Sequence, residues 1–472
     1  MRKTKLLGGA AIALALCLGA TSAEASTASD LLKRLHDKGI LTDDEYAALQ
    51  AEEKADQAKA AEAVAAAAPG GQPAAPAQID DRRFVKMTDS GVGLVVGPAT
   101  IKFSGSVNGF YVHDSPQKAG ANTAVTGGLA TVGSGNSSAV RNGLLPGFFK
   151  IDVTTTQGGW NVGAHFGMYP GINSNSWSGL SANSAGQPTA FATSGIDFRQ
   201  TYLTFGRAGF GEVKIGRDIG LFGSDAILND ITLLTPGSPG SNTAPGNTTL
   251  GRIGVGYIYT DFQPQITYTS PAYKGFQAAV GIFQPLDSLS GSAQNNSEPG
   301  FQAKLTYDGK IQGAGLHLWM SGLTQKHDVI SGGSYTGRGL DAGAKVTVGP
   351  VAVTGYYYTA KGLGTEALNL FDTDVFGNTR GSEGFYVQAM ATFGKWSAGG
   401  SYGASYLHYA NAADALANPT LVSSNASGVG QIRYGLNSWV TLISEYTHTT
   451  AKAHNGNKDD SDTMAFGGIL FF

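Results

Sequence analysis

The sequence predicts an all-β fold, a sixteen-stranded antiparallel barrel that closes on itself and crosses a membrane. Three observations predict it. From about residue 100, apolar residues alternate with polar or small ones, the period-two pattern of strands with two different faces. The segments between these runs are alternately long and short. The composition is low in charge, with 14% charged residues in 472 against the usual ~25%. It is also rich in glycine (68) and aromatics (10%). Aromatics at that level exclude a disordered chain. No stretch after the first 25 residues approaches the ~18 apolar residues of a spanning helix. A net charge of −3 without a basic block speaks against a nucleic-acid partner.

Residues 1–25 read as a signal peptide. Arg2, Lys3 and Lys5 form a basic start, Leu6 to Ala20 is apolar, and Ala23-Glu24-Ala25 places small residues before a cut at Ser26. The one cysteine, Cys17, leaves with it, so the mature chain has neither disulfides nor a thiol site. Removing three basic residues and Glu24 takes the net charge from −3 to −5.

Residues 26–68 read as a helical or coiled-coil segment. Leu31, Leu32 and Leu35 share a face, and Gly39 stops it. Thr42 to Glu45 is a capping-box pattern. An Ala/Glu/Lys-rich stretch follows to Ala68, too alanine-rich to persist as a lone helix. Residues 69–99 are a Pro/Gly-rich linker and lead-in, with Pro69, Gly70, Gly71, Pro73 and Pro76.

The barrel is predicted over residues 100–472. Phe301, Ala303, Leu305 and Tyr307 alternate with Gln302, Lys304, Thr306 and Asp308. Runs 338–348 and 384–393 repeat the pattern. Strands are predicted to begin near 100, 147, 160, 196, 212, 252, 275, 300, 313, 338, 351, 384, 396, 425, 438 and 462. Long loops on one side and tight turns on the other mark an outer-membrane barrel. Phe148-Phe149, Tyr356-Tyr357-Tyr358 and Tyr406 are candidates for aromatic girdles at the headgroups. Met464, Phe466, Leu470 and Phe472 share one face of a terminal strand that ends on Phe.

The motifs of residues 202–276 carry a family resemblance. The stretch from Tyr202 to Asp218, with Gly216-Arg217 near its end, resembles a strand–turn–strand of the sixteen-stranded general porins of Gram-negative bacteria. Leu250-Gly251-Arg252-Ile253-Gly254 is similar to that family's return strand. Tyr268-Thr269-Ser270-Pro271, closing on Gly275-Phe276, matches its next turn. The resemblance implies a homotrimer in the outer membrane, among lipid and lipopolysaccharide, passing small hydrophilic solutes. It also implies that loop 219–250 folds inward and narrows the pore. Carried over residue by residue, Arg217 and Arg252, with Lys150 as a further candidate, are the basic wall of the constriction. Asp225 and Asp230 are its acidic loop members. Opposed charges of this kind set up a transverse field that orients dipolar solutes. The helical segment 26–68 resembles the short periplasmic helices that precede some specialised porins, and contact with the cell wall is a role for it.

No cofactor or metal is predicted. The eight histidines show no metal-ligand spacing on a shared face, and no Gly-x-Ser-x-Gly elbow is present, so an enzyme is not expected. Two further readings stay open. One is a solute-specific, anion-type channel. Residues 69–472 carry 24 basic and 25 acidic side chains, which disfavours strong anion selectivity. The other is a barrel that mainly anchors a cell-wall tether.

Overall fold

A computed structural model describes residues 85–88, 91–172, 196–237, 248–289, 294–330 and 332–472. The signal peptide, the helical segment and most of the linker lie outside the described residues.

Sixteen strands form the barrel. They are β1 (Ala99–Ser115), β2 (Phe148–Gln157), β3 (Trp160–Pro170), β4 (Ile196–Arg207), β5 (Gly211–Ile219), β6 (Phe262–Thr269), β7 (Phe276–Phe283) and β8 (Gly300–Ile311). The remainder are β9 (Ala314–Asp328), β10 (Ser334–Val348), β11 (Val351–Lys361), β12 (Gly381–Phe393), β13 (Trp396–Leu407), β14 (Val422–Gly435), β15 (Val440–Ala453) and β16 (Lys458–Phe471). Each pairs antiparallel with its neighbour, and β16 returns to β1 from Asp462↔Ser115 to Phe471↔Ser106. Phe472 completes the seam by exchanging backbone hydrogen bonds with Gly105 at 3.0 and 3.1 Å. Closure leaves no free edge, as lipid demands of a spanning sheet. A hairpin, Val85–Met87 with Val92–Val96, extends the wall below the seam through Val92↔Phe103 to Val96↔Ala99.

Fifteen of the sixteen predicted strand starts fall within four residues of those observed. The sixth does not. The chain at 252 is still in the loop, and β6 begins at Phe262. Two long loops are also shorter than predicted: only 329–333 separates β9 from β10, and only 454–457 separates β15 from β16. These strands run on past the apolar band. Hydrophobic alternation fades there while the ladder continues, so the pattern misplaces their ends.

The outward row is apolar, with Leu203, Ile215, Ile266, Val280, Leu305, Leu340 and Val353 all exposed. The inward row carries Gln, Thr, Ser and charged residues. Of the three consecutive tyrosines only Tyr357 faces outward, at 48% exposure. Tyr356 and Tyr358 are buried inside, at 5% and 0%, because successive residues of a strand point to opposite faces. Phe148 also turns inward, packing against Tyr169 and Phe471. The girdle at the short-turn end is built instead from Trp160, Phe210, Tyr268, Trp396, Tyr434, Trp439 and Phe472. Tyr and Trp favour this level because one end of the ring is apolar and the other polar.

The strand from Asp197 to Gly206 carries Arg199 and Leu203 at the same parity and so reads as mixed. A bulge explains it. The register with β3 shifts between Gly167↔Gln200 and Met168↔Phe198, leaving Arg199 as the extra residue. Arg199 swings inward to Asp197 (2.7 Å) and over the Tyr169 ring (5.2 Å), while Leu203 stays outside.

The inward loop and the open lumen

The connection between β5 and β6 enters the barrel. Gly220 N–H donates to the Asp261 carbonyl at 3.0 Å and closes its neck. The chain then turns into α1 (Ser224–Asn229) and a 3-10 turn, Ile231–Leu234. Gly223 sits at φ 72° at the start of α1, a left-handed conformation that glycine adopts without strain.

The loop backbone is held by side chains of the wall. Gln302 on β8 accepts from the N–H groups of Leu221 (2.8 Å) and Phe222 (3.0 Å). Asp341 on β10 accepts from Gly223 N–H at 2.7 Å. Gln388 on β12 accepts from Ile231 N–H at 3.0 Å and donates to the Asn229 carbonyl. Gln431 on β14 donates to the Ile231 carbonyl, and Glu445 on β15 accepts from Gly237 N–H at 2.7 Å. These bonds meet the rule that buried backbone groups are paired. Phe222, Ala226, Ile227 and Tyr257 pack between loop and wall against Trp319, Tyr356, Leu363 and Tyr386.

The structure separates the five predicted constriction residues. Arg217 is not on the inner wall. In register it lies between Thr201 and Pro264, in the row of Leu203, Ile215 and Ile266, and so faces outward. The inward residues of β5 are Glu212, Lys214 and Asp218. Arg252 is neither on a strand nor in the opening. It is fully buried in the returning part of the loop, and its Nη1 donates to the carbonyl and Oγ of Ser427 on β14. Asp230 is its electrostatic counterpart within the loop. It accepts from Thr232 N–H (2.8 Å) and Tyr257 O–H (2.9 Å). Burial pushes the Asp230 carboxyl up although Arg252 pulls it down, and burial pushes Arg252 down although Asp230 supports its charge. Asp225, on α1, does meet basic wall residues, but they are Lys304 (2.8 Å) and His317 (3.1 Å). The loop edge presented to the opening is Leu228, 56% exposed. Lys150 is on the inner face of β2, its Nζ 5.2 Å from the centre of the Phe148 ring.

Facing the opening across from the loop, β2 to β5 carry a charge network that sequence reading did not assemble. Asp152 pairs with His165 at 2.5 Å, His165 stacks on Tyr202 at 4.6 Å, and Lys214 pairs with Asp218. Gln200 donates to Asp218 at 2.7 Å. A cavity of about 560 Å³ opens beside it, lined largely by threonines together with His165, Tyr202, Glu212 and Lys214. The signal was present as inward parity on four adjacent strands. Their pairing, which brings the residues together, is not local in sequence.

A second loop, 362–380, folds over the first on the long-loop side. Tyr259 N–H donates to the Glu366 carbonyl at 2.6 Å, and Arg380 holds Asp414 with two bonds of 2.7 and 2.8 Å. Those bonds pull the Asp414 carboxyl down to about 2. The Glu366 side chain packs toward Gly254 of the inward loop, where an added Cβ would stand 2.7 Å from its Cγ. Its Oε1 has no hydrogen-bond partner among the described residues, and burial raises the carboxyl to about 7. The seated loop therefore binds a proton that the released loop gives up. Its contribution is full below the ordinary glutamate range and is lost as pH rises through about 7. Conductance fluctuations from this loop should increase between pH 5.5 and 8. In Glu366→Gln they should stay at the acid level throughout, and an unchanged pH profile in that variant would disprove the assignment.

The Gram-negative porin family model matches residues 60–468. The chain belongs to the Gram-negative porins. Among solved structures, the porin is similar to the outer membrane channel DcaP of Acinetobacter baumannii, with TM-score 0.60 and 16% identity over 82% of this chain and 99% of that one. It is also similar to the anion-selective porin from Comamonas acidovorans, with TM-score 0.53 and 14% identity over 79% and 100%. At such identities the likeness establishes the fold. No curated protein matches the sequence. The porin is a channel of the outer membrane for passive diffusion of small hydrophilic solutes, and its family and fold point away from an enzyme.

Proposed function

We propose that solutes pass between the inward loop and the β1–β5 wall, and that the passage mildly prefers anions. The observation that carries this is an imbalance among exposed lumenal charges. Among the described residues, Lys102, Lys150 and Lys345 face the lumen without a direct ion pair to a carboxylate: Lys150 feels Asp218 and Asp152 only at longer range, and Lys345 reaches Asn229 Oδ1 at 3.3 Å. Most lumenal acids are engaged: Asp152 by His165, Asp218 by Lys214, Asp225 by Lys304, and Asp341 and Glu445 by loop amides. Glu212 is the exposed exception. Unpaired lumenal cations raise the local anion concentration without forming a tight site.

The test is the reversal potential across a tenfold salt gradient. Lys150→Gln with Lys345→Gln should move it by several millivolts toward cation selectivity. Arg217→Ala should leave it unmoved, because that side chain is outside. An unmoved potential in the double variant would end the proposal. Current that saturates with one solute would favour the solute-specific reading over general diffusion.

The porin assembles as a homotrimer in this reading. Support comes from the low side of the barrel, where β2 to β7 have only 8 to 12 residues and expose Phe166, Phe198, Leu203 and Ile215. The segment 26–68 lies on the periplasmic side, available to the cell wall.

A further inference from the structure

We infer that the inner wall of β1 to β5 holds a weak site for a neutral polyhydroxylated solute, a sugar or polyol, at the short-turn end of the passage. The observation is a pair of polar rows in the cavity of about 560 Å³. Thr100, Thr154, Gly163, Thr204 and Lys214 stand side by side in register across β1 to β5. The next row toward the turns is Thr156, Asn161, Gly206 and Glu212. Each row has a glycine at or near its middle, so the wall is dished between polar flanks. The volume lies in the range of small-molecule sites.

The hollow offers hydrogen-bonding groups that the protein does not use. Among the described residues, the Thr100 and Thr154 hydroxyls, the Tyr202 phenol and the Glu212 carboxylate form no side-chain hydrogen bond or ion pair. Thr156 Oγ1 donates to Asn161 Oδ1 at 2.8 Å, which leaves the Asn161 N–H groups to donate. The frame around these groups is fixed. One ring nitrogen of His165 meets Asp152 at 2.5 Å and the other meets Thr204 at 3.2 Å. Gly163 gives that ring its room, since an added Cβ would stand 2.5 Å from Nε2. Tyr202 stacks on His165 at 4.6 Å and has the Lys214 ammonium 5.0 Å from its ring centre. A frame ordered in advance lowers the cost of binding. The charges select the class of solute. Glu212 opposes an anion and Lys214 opposes a cation, whereas a hydroxyl both donates and accepts. A neutral polyol can therefore meet the carboxylate, the amide and the hydroxyls together. Such contacts detain a solute without trapping it, as passage requires.

The inference rests on the channel reading, and the test separates the two. Single channels of the full chain in a planar bilayer are titrated with glucose while the current noise is recorded. Glucose should give noise that saturates with concentration, and triethylene glycol, similar in size but poor in hydroxyls, should give none. Glucuronate and glucosamine, with a carboxylate and an ammonium on the same kind of ring, should bind several-fold more weakly. Tyr202→Phe with Asn161→Ala should weaken glucose about tenfold, as the loss of two hydrogen bonds would. Thr100→Val with Thr154→Val, which keeps side-chain shape, should do the same. Both variants should retain the heat-sensitive compact band on a cold detergent gel. Parent-like glucose noise in either variant, saturating noise from triethylene glycol, or binding of either charged sugar at least as tight as that of glucose overturns the site. If the parent forms no channels, the channel reading itself fails; channels without saturable glucose noise sink only the sugar site.

Discussion

Single channels of Arg252→Met should pass about twice the current of the parent, with larger fluctuations. Arg252 is fully buried between the returning loop and β14, where it reaches Ser427 and offsets the charge of Asp230. Arg252 and Asp230 act on each other at a distance rather than in contact, so the loss is smaller than that of a broken buried ion pair and is on the order of 1–3 kcal/mol, the cost of leaving buried polar groups unsatisfied. Here that cost falls on the seating of the loop, since sixteen paired strands hold the barrel independently of it. Arg252→Met combined with Asp230→Asn removes the stranded charge and should recover most of the narrow state. A parent-like trace from the single variant would show that the pair does not hold the loop.

Gly467→Val should abolish the folded barrel. Gly467 lies on β16 opposite Phe110 in the closing seam, and a Cβ there would stand 2.1 Å from the Gly109 carbonyl oxygen. The obstacle is backbone of the partner strand, which cannot move aside without breaking the ladder. An open seam leaves unpaired N–H and C=O groups facing lipid, at several kcal/mol each. The heat-sensitive compact band on a cold detergent gel should disappear, whereas Gly428→Ala, at an open outward position, should keep it. A compact band from Gly467→Val would refute this account of closure.

The barrel was legible because its governing signal is local. Period-two alternation and turn spacing placed fifteen strand starts. The constriction was much less legible. Arg217 was placed by its Gly-Arg motif, although Ile215 two residues earlier already assigns that row to lipid. A one-residue difference in parity reverses a side chain's face. Arg252 reads as strand through the resemblance of Leu250 to Gly254 to the family's return strand. In the fold its neighbours Ile253 and Val255 are buried between loop and wall, which a single sequence cannot distinguish from facing a bilayer. The engagement of Asp225 with Lys304 joins residues 79 positions apart, and only strand pairing brings them together. Arg199 was readable as an anomaly, and its cause, the bulge, lies in the partner strand.

Much of the loop is clasped by neutral amides. Gln302, Gln388 and Gln431 hold it by hydrogen bonds, and dissolved ions barely weaken these. Exposed charges behave otherwise, since the Debye length shrinks from ~10 Å at 0.1 M to ~3 Å at 1 M. Bore and the proposed ionic preference are thus decoupled: rising salt should leave the sieve unchanged while it weakens discrimination by sign.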